Sequence, residues 1–173
     1  MFLSLVQNRR SIRKFEERPV ESEKIDQLLE AALRSPSGKG SNPWEFIMVD
    51  EPSLLEKLSR SKPHGSAFVK GAPLAIVVCG DPGKSDVWVE NTSIASIMIH
   101  LMATDLGLGS CWVQIRKREH DAKMSANAYV ADLLGIPDNL AVESIIAIGY
   151  PAEEKGPHAK ESLHFHKIHN NRF

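Results

Sequence analysis

The sequence predicts an α/β mixture built on one sheet, with a central helix that is unusually buried. Three observations carry this expectation. Ala72 to Cys79 (APLAIVVC) is a continuous apolar, β-branched run, the pattern of a strand covered on both faces. Asp86 to Leu106 reads as a long helix with apolar residues on most sides, which marks a core or interface helix. Helix-like and strand-like segments alternate along 173 residues, a length that favours one domain.

The elements follow in order. Phe2 to Arg9 forms a short helix with Leu3 and Val6 inward. Ser22 caps a second helix whose apolar residues Ile25, Leu28, Leu29, Ala32 and Leu33 fall at helical spacing. Ser35 to Pro43 is too rich in Gly, Pro and Ser to continue it. Trp44 to Val49 is a strand, and Ser53 with Glu56 offers a capping box for a helix through Leu58. Asp81-Pro82-Gly83 turns the chain into the long helix, whose narrow polar stripe is Ser93, Ser96, His100 and Thr104 and whose stop is Gly107. Ser110 to Ile115 and Glu143 to Gly149 are strands, and Ala122 to Leu134 is an amphipathic helix between them. The tail from Ala152 to Phe173 is polar and lacks a core of its own, so together with the long helix it suggests a partner subunit.

A formal net charge of -1 gives no support for a nucleic-acid partner, which usually demands a basic excess. No apolar run is long enough for a membrane span, and the N-terminus has its apolar patch before its charges, the reverse of a signal peptide. Cys79 and Cys111 form no CxxC pair and sit in apolar strands, which reads as buried reduced thiols and a cytoplasmic chain.

Four places could carry chemistry. Arg9-Arg10-Ser11-Ile12-Arg13 puts three guanidiniums and a hydroxyl within five residues, donors suited to a phosphate; the alternative is a solvated charged turn. The loop Pro36-Ser37-Gly38-Lys39-Gly40-Ser41-Asn42 permits close backbone approach to a planar ligand, or simply connects helix to strand. Gly107-Leu108-Gly109-Ser110 follows a helix and opens a strand, so it is a tight turn and no dinucleotide fingerprint. The tail carries His158, His164, His166 and His169 with no matching Cys or carboxylate pattern, which favours surface histidines over a metal site. Neither a nucleophile elbow nor HExxH is present, and no carboxylate couple stands out, which suits chemistry done by a cofactor.

In combination, RRSIRKF, SPSGKGSNPWEF, GLGSCW and LGIPDNLAVESIIAIGYPAEEK occur in an order and spacing that resemble the nitroreductase family of flavoenzymes, over nearly the whole chain from Arg9 to Lys155. The resemblance implies an α+β fold, a central and mostly antiparallel sheet flanked by helices, in an intertwined homodimer with FMN at each interface. It implies one FMN-binding domain over residues 1–173, with 152–173 packing on the partner subunit. Arg9, Arg10 and Ser11 would hold the phosphate and ribityl chain, and Arg13 would lie near the pyrimidine end of the ring. Pro36, Ser37, Gly38, Ser41 and Asn42 would approach from the other subunit, with Gly109 and its neighbours near the far side of the ring. Relatives commonly carry a basic pair after the GYP turn; here the candidates are Lys155, Lys160 and Arg172.

The activity so implied passes electrons from NAD(P)H through flavin N5 to a nitroaromatic, a quinone or a similar small acceptor, by a ping-pong route. Arg13 would stabilise negative charge around N1 and O2. Three alternatives stand beside it: a dehalogenase or dehydrogenase on the same scaffold, a flavin- or nucleotide-binding module without turnover, and a metal-binding dimer using the tail histidines. Arg9→Ala is expected to weaken FMN binding about tenfold or more, since a charge-assisted hydrogen bond contributes roughly 1.5–3 kcal/mol. A fluorescence titration showing unchanged affinity would refute the assignment of Arg9.

Overall fold

The computed structural model describes all residues from Met1 to Phe173. Five helices and four strands follow one another as α1 (Phe2–Asn8), α2 (Ser22–Leu33), β1 (Trp44–Val49), α3 (Pro52–Leu58), β2 (Leu74–Gly80), α4 (Trp88–Asp105), β3 (Gly109–Gln114), α5 (Ala126–Leu134) and β4 (Ala141–Gly149). The strands lie in the order β1-β2-β4-β3, and every pairing is antiparallel. The fold is therefore α+β, as the resemblance implied.

Alternation along the central strands sorts their side chains onto two faces. Leu74, Ile76 and Val78 of β2, with Ile146 and Ile148 of β4, pack against Leu28 and Ala32 of α2 and Ile99 and Ala103 of α4. Ala75 and Val77, with Ile145 and Ala147, face Leu55 and Leu58 of α3 and Val130 of α5. Both faces are covered, so β2 is buried at all seven positions and shows no polar alternation in sequence. The register of β2 against β4 slips between Val78 and Cys79, which leaves Glu143 as an extra residue in β4.

Helix α4 packs on one face of the sheet. Its polar stripe points inward: Ser96 and His100 are buried against the sheet, where Ser96 Oγ meets Ser144 Oγ at 3.0 Å and His100 Nδ1 meets Ser110 Oγ at 2.7 Å. The apolar residues Ile94 and Ile97 lie outside, 37% and 42% exposed. Helix α1 adds Phe2, Leu3 and Val6 to the exposed apolar surface, so Leu3 and Val6 are not inward as the sequence suggested; Leu5 is the half-buried residue there. Leu33 is likewise exposed, and Ala31 takes the buried position instead.

Four helix starts also differ from the expectation, α4 beginning at Trp88, two residues after Asp86. Glu21 caps α2 and Ser22 is its first helical residue, with no side-chain cap bond. Glu51 caps α3 with Pro52 at the first turn, so Ser53 and Glu56 form no capping box; Ser53 Oγ donates to Glu51 instead. Helix α5 begins four residues later than expected, where Ser125 Oγ accepts from Ala128 N at 3.1 Å.

Glu143 is 4% exposed, and its Oε2 has no hydrogen-bond partner. Burial pushes its pKa above the ordinary carboxylate value, against the opposing pull of Gln114 and Arg116. An acid with a raised folded pKa costs nothing below its unfolded pKa, and its cost to folding grows as pH climbs to the raised value. Glu143→Gln is therefore expected to raise the denaturant midpoint at about pH 8, with an advantage that shrinks toward about pH 4. An advantage that does not change with pH would contradict the assignment of buried charge.

Candidate functional site

The segment Arg9 to Glu16 is an extended strap laid along one end of the sheet. Ser11 bridges Ser110 at the start of β3, and Ile12 N donates to Ser110 O at 3.0 Å. Further on, Glu16 N donates to Tyr150 O at 2.9 Å and Ala152 N donates to Lys14 O at 2.9 Å. The strap can lie this close because residue 109 is glycine: a Cβ there would stand 2.8 Å from Ile12 Cβ and Cγ2. Gly109 therefore makes room for the strap, a more definite role than proximity to a ligand.

The strap and the residues after β4 together form a cationic bowl. Lys155 Nζ donates to Ser11 O at 2.8 Å and to Glu153 Oε1 at 2.9 Å, and the same Glu153 oxygen accepts from Arg13 N at 2.6 Å. Those bonds, the Arg13 amide first and the Lys155 ammonium next, hold the Glu153 carboxyl at about 2. Arg10 donates to Gly156 O, and the Arg13 guanidinium stands 5.8 Å from the Phe68 ring centre. A cavity of about 440 Å³ opens among Asn8, Arg10, Thr104, Gly109, Lys155 and Gly156. Cys111 lies beneath the cluster as a buried thiol pushed up by its burial, while the charges of Arg13, Lys155 and Arg9 act in the other direction. Cys79 is also free and buried.

These donors fit an anion. A lysine ammonium has three donors, of which Lys155 spends two within the chain, and each guanidinium has five. Arg9, Arg10 and Arg13 form no salt bridge within the chain, Lys155 forms one with Glu153 at 2.9 Å, and Glu154 also lines the cavity.

The loop from Pro36 to Asn42 lies elsewhere. Gly38 N donates to Asn91 Oδ1 at 3.0 Å, which fixes the loop beside the N-terminal turn of α4. Ser37 Oγ donates to Asn42 Oδ1 at 2.6 Å and accepts from Asn42 N at 3.0 Å, closing the loop on itself. Lys39 and Asn42 sit in left-handed backbone at φ 55° and 42°, while Ser41 Oγ is buried without a partner. The bowl is at the opposite end of α4, beside Thr104. The thirteen helical steps from Asn91 to Thr104 span about 20 Å. One chain thus brings Arg9, Arg10, Ser11, Arg13, Gly109 and Lys155 together and keeps Pro36, Ser37, Gly38, Ser41 and Asn42 apart from them.

Of the three candidate tail bases, only Lys155 reaches the strap. Lys160 and Arg172 belong to a tail that is exposed throughout from Gly156 to Phe173, and their side chains bond to nothing in the bowl. The four tail histidines are exposed with it. Sequence reading passed over Glu153, which binds strap and Lys155 together, and over the buried pair His100 and Ser110. A signal for the latter was present: Ser96, His100 and Thr104 recur every four residues in the stretch from Ile94 to Thr104, where every other residue is apolar.

Sheet, strap and bowl define an α+β protein with a candidate anion site at a sheet end. The Nitroreductase family profile matches residues 6–62 and 56–150. A protein from Archaeoglobus fulgidus, provisionally named NADH dehydrogenase/NAD(P)H nitroreductase, is 39% identical over 157 residues, covering 88% of this chain and 87% of that one. The solved structure of an FMN-dependent nitroreductase from Clostridium difficile superposes with a TM-score of 0.97 at 46% identity, over 99% of both chains. A provisionally named NADH dehydrogenase/NAD(P)H nitroreductase from Parabacteroides distasonis gives 0.90 at 34%, over 99% of this chain and 98% of that one. This chain belongs to the nitroreductase family and is an enzyme of that family, an oxidoreductase. No helix is long and apolar enough to cross a membrane.

Gly109→Ala is expected to push the strap off β3 and cost about 1–3 kcal/mol, the usual range for overpacking. Denaturant unfolding checks this; an unchanged midpoint would mean that the strap gives way freely.

Proposed function

We propose that this chain works as a cytoplasmic homodimer that holds FMN at each subunit interface and passes electrons from NAD(P)H to a small acceptor such as a nitroaromatic or a quinone. The observation that carries the reading is the separation just described. A cationic bowl stands at one end of α4 and a closed Gly- and Ser-containing loop at the other, about 20 Å apart along the helix. Between them run the exposed apolar residues of α1 and α4: Phe2, Leu3, Val6, Ile94 and Ile97. Burying these apolar side chains is favourable, and a second copy of the chain is a partner that would supply both the cover and the missing loop. The tail from 152 to 173, with Leu163, Phe165 and Ile168 at least 50% exposed, is read as packing on that second copy.

Bound FMN would supply two-electron chemistry at its N5. The chain's own residues bind and orient. Arg9, Arg10, Ser11 and Lys155 are assigned to the phosphate and ribityl chain, on the donor geometry of the bowl. Arg13 is assigned to the pyrimidine end, where its fixed charge would favour the reduced state. Pro36, Ser37, Gly38, Ser41 and Asn42 are assigned to the ring edge of the other subunit's flavin. Lys160 and Arg172 reach a phosphate only if the tail crosses to the partner.

Absorbance under anaerobic conditions tests the activity: the flavin band bleaches with NADH or NADPH and returns with a nitroaromatic or quinone. Flavin that binds and never bleaches identifies a binding module instead. The shared site has its own test. Ile97→Asp is expected to shift sedimentation from dimer to monomer and to lower FMN affinity by about tenfold or more, through loss of the partner's loop. A monomeric variant with undiminished FMN affinity would defeat the two-chain site.

A further inference from the structure

We infer that His100 is a positioning residue for the anion-binding strap, acting through Ser110; the inference rests on the FMN reading only for the identity of the anion. His100 is 3% exposed and lies on the sheet side of α4. Its Nδ1 is 2.7 Å from Ser110 Oγ, and Ser110 is itself 1% exposed. The carbonyl of that same serine accepts the Ile12 amide at 3.0 Å, and Ser110 is the residue that Ser11 bridges. The chain of contact therefore runs from α4 through imidazole and hydroxyl into the backbone that docks the strap. Arg9, Arg10, Ser11 and Arg13 all depend on that docking for their direction.

Two further contacts place His100 at this junction. Its backbone carbonyl accepts Thr104 Oγ1 at 3.0 Å, and Thr104 lines the cavity. Its ring stacks on Trp112, with centres 6.4 Å apart and planes 10° from parallel. Packing and hydrogen bond together leave the imidazole one orientation. Burial lowers its pKa to about 4, with the charge of Arg9 acting in the same direction, so a neutral ring stands beside that guanidinium without repelling it. A leucine would fill the space and satisfy the core. It would leave the Ser110 hydroxyl buried without its partner, free to seek a new rotamer and loosen the edge of β3.

The test uses His100→Leu, His100→Asn and Ser110→Ala in the full chain, with two readouts. Amide hydrogen exchange on flavin-free protein is expected to rise at Ile12 in His100→Leu and Ser110→Ala, and to stay near wild type in His100→Asn, whose amide can meet Ser110. Titration is expected to show FMN affinity reduced about tenfold in the same two variants and restored in His100→Asn, with a clearly smaller loss for riboflavin, which lacks the phosphate assigned to Arg9 and Arg10 and keeps only the contacts assigned to Ser11 and Arg13. Equal losses for FMN and riboflavin would mean that His100 only supports the core and would overturn the inference. So would unchanged exchange at Ile12. If wild type binds neither flavin yet Ile12 exchange follows the expected order, the positioning role stands and the FMN reading fails. Should His100→Leu not fold, His100→Asn and Ser110→Ala still decide.

Discussion

The docking of one extended strap on the end of one edge strand is the contact on which the rest of this molecule's chemistry depends. It consists of the Ile12 amide on the Ser110 carbonyl, made possible by the missing side chain at Gly109. Two further backbone bonds, Glu16 N on Tyr150 O and Ala152 N on Lys14 O, continue the docking along the strap. The strap carries Arg9, Arg10 and Arg13, and Glu153 ties Lys155 to the same backbone at Arg13 and Ser11. Like charges gathered in this way repel one another, and backbone and carboxylate bonds hold them, with Arg10 and Lys155 lining the cavity beside Glu153 and Glu154.

The second constraint is the orientation of α4. A helix that presents serine and histidine to a sheet must satisfy them there, because a buried polar group without a partner costs about 1–3 kcal/mol. Ser144 and Ser110 provide those partners. The consequence appears on the opposite side, where Ile94 and Ile97 face outward beside the apolar residues of α1. The same helix thus contacts the strand that carries the strap and presents an apolar surface on its other side.

Much of the architecture was legible because it follows from local chemistry. Trp44–Val49 was read with its observed bounds, since β-branched and aromatic residues run between Pro43 and Asp50. The helix stop after Leu134 was equally plain, with Gly135 in left-handed backbone at φ 65°. Cap assignments were less secure. Ser22 and Ser53 each have the hydroxyl a cap needs, yet Glu21 and Glu51 occupy the cap positions, because the path of the incoming chain decides which residue stands outside the first turn. Leu33 fits the apolar spacing of α2 and is nevertheless exposed, since it falls beyond the reach of the sheet that covers Leu28 and Ala32.

The candidate site divides along the same line. Sequence alone determined which residues could bind an anion, because three arginines and a serine within five positions offer those donors in any fold, and it determined that the glycine-containing loop and the tail bases were to be weighed with them. Only the tertiary structure decided that Lys155, and neither Lys160 nor Arg172, meets the strap within one chain, and that the loop stands at the far end of α4. It also decided that the polar stripe of α4 turns inward to reach Ser110. Composition is local and can be read in order; convergence joins residues more than a hundred positions apart, and it is set by strand register and helix rotation.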